Sequence, residues 1–138
     1  MLETNTQTTA KATRDAIGDM ITSVTFDTFT ALVLEDNGPV AVEFMSYGCG
    51  HCRALEHPLQ EAALQLELTE KIFRVNIAIE KELSENFDIT GTPTLVMFLQ
   101  GQEISRVEGP SPNLADLQAA LTAPFQTEES YNEYVSSN

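Results

Sequence analysis

The run Val40-Ala41-Val42-Glu43-Phe44-Met45 limits this chain more than any other feature. It is apolar without alternation, the pattern of a strand covered on both faces in a parallel sheet rather than one with a wet side. It carries one carboxylate, Glu43, in a place where a charge is costly unless it is neutralised or paired. Directly after it come Ser46-Tyr47-Gly48-Cys49-Gly50-His51-Cys52, then a long helical periodicity through Leu55, Leu59, Ala62, Ala63, Leu66 and Leu68. Pro58 is expected to kink that helix.

The rest of the chain supplies partners for this strand. Ser23 to Phe26 reads as a short strand, and Asp27 as the N-cap of a helix with Phe29, Leu32 and Val33 on one face. Asn37-Gly38-Pro39 ends that helix. Lys71 to Ile77 is a second strand, followed by a short helix from about Glu80 to Asn86. The turn Gly91-Thr92-Pro93-Thr94 leads into a third apolar strand, Leu95 to Leu99. Gln100-Gly101-Gln102 reads as a hairpin turn into Glu103 to Glu108, which Gly109-Pro110 closes. Asn113 can cap a last helix bearing Leu114, Leu117 and Leu121. The order β-α-β-α-β-α-β-β-α predicts an α/β fold with a mixed sheet and helices on both faces.

At 138 residues the chain is expected to hold one folded domain, 23–123. Residues 1–22 read as a polar, flexible leader with one helical turn around Thr13 to Met20, and 124–138 as an acidic polar tail. The formal charge of −14 repels phosphate backbones and anionic lipid, so neither a nucleic acid nor a membrane is an expected partner. No apolar run reaches the length of a signal core or a membrane span. The cytoplasm is the expected compartment, although the processed form of an exported precursor would read the same.

With two cysteines only, the chain has no disulfide scaffold of the secreted kind, so the spacing of Cys49 and Cys52 asks for a chemical reason. The pair lies where a buried strand meets a helix. Residues three apart on a helix are neighbours, at separations that a disulfide can span. A sulfur at the helix start also feels unpaired N–H groups and the positive end of the helix dipole, which favour its thiolate. Cys49 is therefore the expected nucleophile. C-x-x-C also occurs in zinc sites and in haem attachment. Haem attachment needs His directly after the second cysteine, where this chain has Arg53. A structural zinc needs four ligands, and the chain has no second C-x-x-C and only His51 and His57 nearby. Neither metal nor organic cofactor is expected.

Four separated features, the Val42-Glu43-Phe44 strand, Cys49-Gly50-His51-Cys52 at a helix start, Gly91-Thr92-Pro93-Thr94 before a strand, and Gly109 after the last strand, resemble the thioredoxin family over roughly 23–123. The resemblance implies the thioredoxin fold, a central mixed sheet of four to five strands flanked by helices. It implies a cis Pro93 facing the cysteines, with Thr92, Pro93 and Gly109 lining the place where an extended substrate binds. It also implies that Glu43 accepts or relays the proton of Cys52. An outward-pointing Glu43, or one paired with Arg74, is the alternative, as a plain turn is for Pro93.

The resemblance implies a thiol–disulfide oxidoreductase that exchanges its dithiol with protein disulfides through a mixed disulfide on Cys49. Its implied partners are disulfide-containing proteins and a flavin-dependent reductase, or an oxidant, that resets the pair; the chain is expected to act as a monomer. The Gly50-His51 dipeptide is similar to that of protein disulfide isomerases, and a histidine beside the nucleophile is expected to tune the thiolate and make the pair more oxidising. An oxidase or isomerase in an oxidising compartment, and a client-binding module with incidental cysteines, remain as alternatives. The chain departs from the family at Gly48 and Met45, where aromatic residues are usual, and at Pro58, one residue later than the usual helix proline.

Overall fold

The computed structural model describes residues 21–125 together with Asn132, Glu133 and Ser136; the helical turn expected around Thr13 to Met20 lies outside them. The apolar run is strand β2, Pro39–Met45, preceded by β1, Thr22–Ser23. Strands β3 (Ile72–Asn76), β4 (Thr94–Leu99) and β5 (Gln102–Glu108) complete a five-stranded sheet in the order β1-β3-β2-β4-β5. β2 is central, parallel to β3 and antiparallel to β4, so the sheet is mixed.

Period-two alternation splits each central strand between two apolar layers. Ala41, Ile72, Leu95 and Met97 face helix α2, Gly50–Gln65, and its neighbour α4, Leu114–Leu121, meeting Leu55, Leu59, Ala62, Leu117 and Leu121. Val40, Val42, Phe44, Val75, Val96 and Phe98 face the other way, against Phe29 and Val33 and against Leu83 of α3, Lys81–Asn86. The Phe87 ring binds this second layer together, its centroid 5.3 Å from that of Phe29 and 5.6 Å from that of Phe98. Helices therefore cover both faces, which is why β2 shows no polar alternation.

Several local expectations are corrected. The strand expected over Ser23 to Phe26 is two residues long and starts at Thr22, because α1 begins already at Phe26 and spans Phe26–Phe29. Its cap is Thr25 rather than Asp27: the Thr25 backbone N–H donates to Thr28 Oγ1 at 3.0 Å. Asp27 instead occupies the first turn. The helix then widens into a π-turn, Thr30–Leu34, closed by Glu35 N–H to the Thr30 carbonyl at 2.8 Å. The wide turn keeps Phe29 and Val33 in the core while Leu32, expected there, is 38% exposed. Helix α2 continues through Pro58 but stops at Gln65, short of Leu68. Glu67 takes φ 59° there and a 3₁₀ turn, Thr69–Lys71, follows. Asn113 caps α4 as expected, its Oδ1 accepting from Asp116 N–H at 3.1 Å.

The β4–β5 turn is held from outside. Gln100 and Gly101 have φ of 55° and 76°, the paired positive values of a primed hairpin turn. A Cβ on Gly101 would stand 2.4 Å from the Leu34 carbonyl oxygen, so the hairpin lies directly against the end of the π-turn. Gly101→Ala is expected to lower stability by at least about 2 kcal/mol in urea unfolding, through the clash and the left-handed backbone together. Gln100→Asn suits the same backbone and is expected to leave the midpoint unchanged or raised.

Candidate active site

Strand β2 ends at Met45, and three residues of turn bring the chain to Cys49, which occupies the N-cap of α2 with extended φ −88° and ψ 120°. An N-cap side chain normally offers oxygen to the open N–H groups of the first turn. Here sulfur does so: Cys49 Sγ accepts from Cys52 N–H at 3.1 Å. The Cys49 N–H is fixed on the Ser46 carbonyl at 3.1 Å, and the Cys49 carbonyl accepts from Arg53 N–H. Cys52, one turn inside, is only 3% exposed, whereas Cys49 is half-buried, and both are free thiols.

The two sulfurs differ in acidity for legible reasons. Desolvation raises the Cys49 thiol. Hydrogen bonds from the Cys52 thiol, the Thr92 side chain and the N–H groups of Cys52 and His51 outweigh it, and its pKa falls below the ordinary thiol value. Cys52 is pushed up to about 11, first by burial and then by its bond to Cys49. One sulfur is disposed to ionise and the other to keep its proton.

A second loop faces the pair. The Thr92–Pro93 peptide is cis, and the Thr92 carbonyl lies 3.6 Å from Cys49 Sγ. Gly109, at φ 60°, donates its N–H to the Pro93 carbonyl at 2.8 Å, tying the end of β5 to this loop. The His51 ring turns to the same corner: Nε2 sits 3.1 Å from the Pro110 carbonyl, which can only accept, so Nε2 carries the proton. The ring thus bonds Pro110 rather than the neighbouring sulfur. What His51 offers Cys49 is its backbone N–H.

Below Cys52 lies Glu43, 1% exposed on the α2 side of β2. The parallel register sets it beside Arg74 of β3, whose Nε is 3.4 Å from Glu43 Oε1. The acid is therefore buried rather than outward-pointing, and it is paired with Arg74. Burial raises its pKa; Arg74 opposes the rise and Glu56 adds to it. Glu43, Cys52, Arg53, Glu56 and Arg74 line one cleft with Met45, Ser46 and Tyr47. Sequence reasoning missed Glu56, although its place four residues after Cys52 puts it on the same helix face. It also missed the carbonyls of Ser46 and Pro110, which no side-chain pattern signals. Among the described residues, no group of three or more His, Cys, Asp and Glu is placed to hold a metal.

A redox-capable dithiol at a helix start, opposite a cis-proline loop on a β1-β3-β2-β4-β5 sheet, defines a class of thiol–disulfide exchange proteins. The thioredoxin family model matches residues 20–123, and the chain belongs to the thioredoxin family of thiol–disulfide oxidoreductases. It is similar to thioredoxin of Mycobacterium bovis, with 31% identity over 86 residues, 62% of this chain and 74% of that one. It is 40% identical over 83 residues to protein disulfide-isomerase of Drosophila melanogaster, a match covering 58% of this chain and 16% of that protein. The fold superposes on oxidised mitochondrial thioredoxin 3 of Saccharomyces cerevisiae with a TM-score of 0.67 at 18% identity, covering 77% of this chain and 97% of that one.

Two measurements check this electrostatic picture. Alkylation by iodoacetamide, followed by mass against pH, is expected to modify Cys49 with a midpoint below that of a free thiol, while Cys52 in Cys49→Ser, where burial remains but the bond to Cys49 is gone, is expected to react only at higher pH than Cys49 does in the parent. Glu43 titrates higher in the fold than in the unfolded chain, so the stability linked to its proton is complete below the unfolded value and lost as pH rises through the folded one. The Tm of Glu43→Gln, measured from about pH 4 to 8, should fall less with rising pH than that of the parent.

Proposed function

We propose that this protein reduces protein disulfides through a mixed disulfide on Cys49. The observation that carries the reading is the asymmetry of the pair: a capped, half-buried Cys49 with a lowered pKa above a buried Cys52 raised to about 11. In the reductive direction the Cys49 thiolate attacks a substrate disulfide, one substrate sulfur leaves as thiolate, and a Cys49–substrate disulfide remains. Cys52 then gives its proton to the Glu43 carboxylate and attacks Cys49 Sγ. The second substrate sulfur departs and takes up a proton. The substrate gains two electrons, and the protein is left with a Cys49–Cys52 disulfide.

The substrate strand in this reading lies along Thr92-Pro93, whose backbone groups pair with it in β fashion. Gly109 keeps that loop in place through the Pro93 carbonyl. A flavin-dependent disulfide reductase restores the dithiol, and a reducing compartment such as the cytoplasm suits the cycle.

A second reading, oxidation or isomerisation of client disulfides, is favoured by Cys49-Gly50-His51-Cys52 and by the likeness to a protein disulfide-isomerase over 83 residues. The reduction potential separates the two: a value near about −270 mV fits a reducer and one near about −180 mV an isomerase. Because His51 supports the reduced state, His51→Pro is expected to lower the potential; a value unchanged or raised would count against that role.

Trapping tests the core of the proposal. Cys52→Ser is expected to accumulate mixed disulfides on Cys49, visible by mass, and Cys49→Ser to abolish turnover in a disulfide-reduction assay. Turnover surviving in Cys49→Ser would overturn the proposal, and full client protection by a cysteine-free variant would support the client-binding alternative.

A further inference from the structure

The cleft beside Cys52 holds more charge than a lone buried acid and its partner. Arg74, whose side chain is 5% exposed, reaches two carboxylates: Glu43 Oε1 at 3.4 Å from its Nε, and Glu56 Oε2 at 3.9 Å from its Nη2. The first carboxylate is buried and the second is 43% exposed, so one guanidinium joins an acid in the core to an acid at the surface. Both carboxylates line the same cleft as Cys52. Glu56 stands one helical turn after Cys52 on α2, so the helix that carries the resolving sulfur also carries the outer acid.

We propose that Glu56 is a positioning residue for the resolving half of the reaction, dividing the Arg74 guanidinium with Glu43 so that Glu43 remains a strong enough base to take the Cys52 proton. The inference rests on the proposed role of Glu43. If Arg74 served Glu43 alone, the pair would hold the carboxylate more firmly as an anion and weaken it as a base. A second anion on the same cation relaxes that hold and repels negative charge on Glu43, and both effects have one sign. The other groups facing Glu43 do not supply this. β4 presents Leu95 opposite it, Arg53 and Tyr47 lie along the rim of the cleft, and Cys52 is the proton donor itself. Arg53 is held outward, its Nη1 donating to the Tyr47 carbonyl at 3.3 Å.

The reduced full-length protein, mixed with excess 5,5′-dithiobis(2-nitrobenzoate), separates the two steps. Cys49 attack releases one thionitrobenzoate at a rate proportional to the reagent. Displacement by Cys52 releases the second at a rate independent of it. Glu56→Gln is expected to leave the first phase and the Tm unchanged and to move the pH midpoint of the second phase down by about half a pH unit. In Glu43→Gln the second phase is expected to be slow, and Glu43→Gln with Glu56→Gln should match Glu43→Gln alone. A slow second phase in Glu43→Gln, beside a midpoint unmoved or raised in Glu56→Gln, would overturn the role of Glu56 and leave that of Glu43 standing. A shift of the same size in the Glu43→Gln background would overturn it too, since the effect would then bypass Glu43. A second phase untouched by Glu43→Gln would remove both roles.

Discussion

The hydrogen bond from Cys52 N–H to Cys49 Sγ is the contact on which the rest of the site depends. It makes the sulfur the cap of α2, so the forces that start the helix are the same forces that favour the thiolate. It also sets the distance between the cysteines, because cap and third helical residue are held by the geometry of the first turn. The strand before it and the helix behind it anchor this turn in two apolar layers, so a reactive sulfur half-open to solvent rests on a rigid base.

Around that contact the fold divides labour by layer. The face of β2 that meets α2 carries Ala41, Glu43 and Met45, and on this side of the sheet the apolar packing admits the buried charges of Glu43 and Arg74. The parallel register with β3 sets Arg74 beside the acid, which makes burial of both tolerable. The antiparallel half of the sheet does different work. β4 begins just after the cis Thr92–Pro93 peptide, and the end of β5 returns Gly109 to bind the Pro93 carbonyl. Three strands thus bring an acid, the cis-proline loop and its tether to one end of a helix.

His51 shows how a residue beside a reactive group can place its ring and its backbone with different partners. Its place between two cysteines suggests a ring next to a thiolate. The ring instead meets the Pro110 carbonyl and leaves the backbone N–H to the sulfur. Leu32 and Asp27 differ from expectation for a comparable reason. A π-turn and a Thr25–Thr28 cap are local choices that a regular 3.6-residue period does not encode.

What the sequence determined by itself is what depends on neighbours along the chain: the buried character of β2, the helix opening at Gly50, the spacing of the two cysteines, the breaks at Gly91 to Thr94 and Gly109-Pro110, and the resulting order of strands and helices. These follow from period, caps and covalent spacing, which are local. The tertiary structure alone decided which groups meet across the chain: Glu43 with Arg74, Arg74 with Glu56, the His51 ring with Pro110, and Cys49 with the Thr92 carbonyl. Such contacts depend on strand register and on the rotation of α2 over the sheet. Those are set by the packing of whole layers, and no short stretch of residues specifies them.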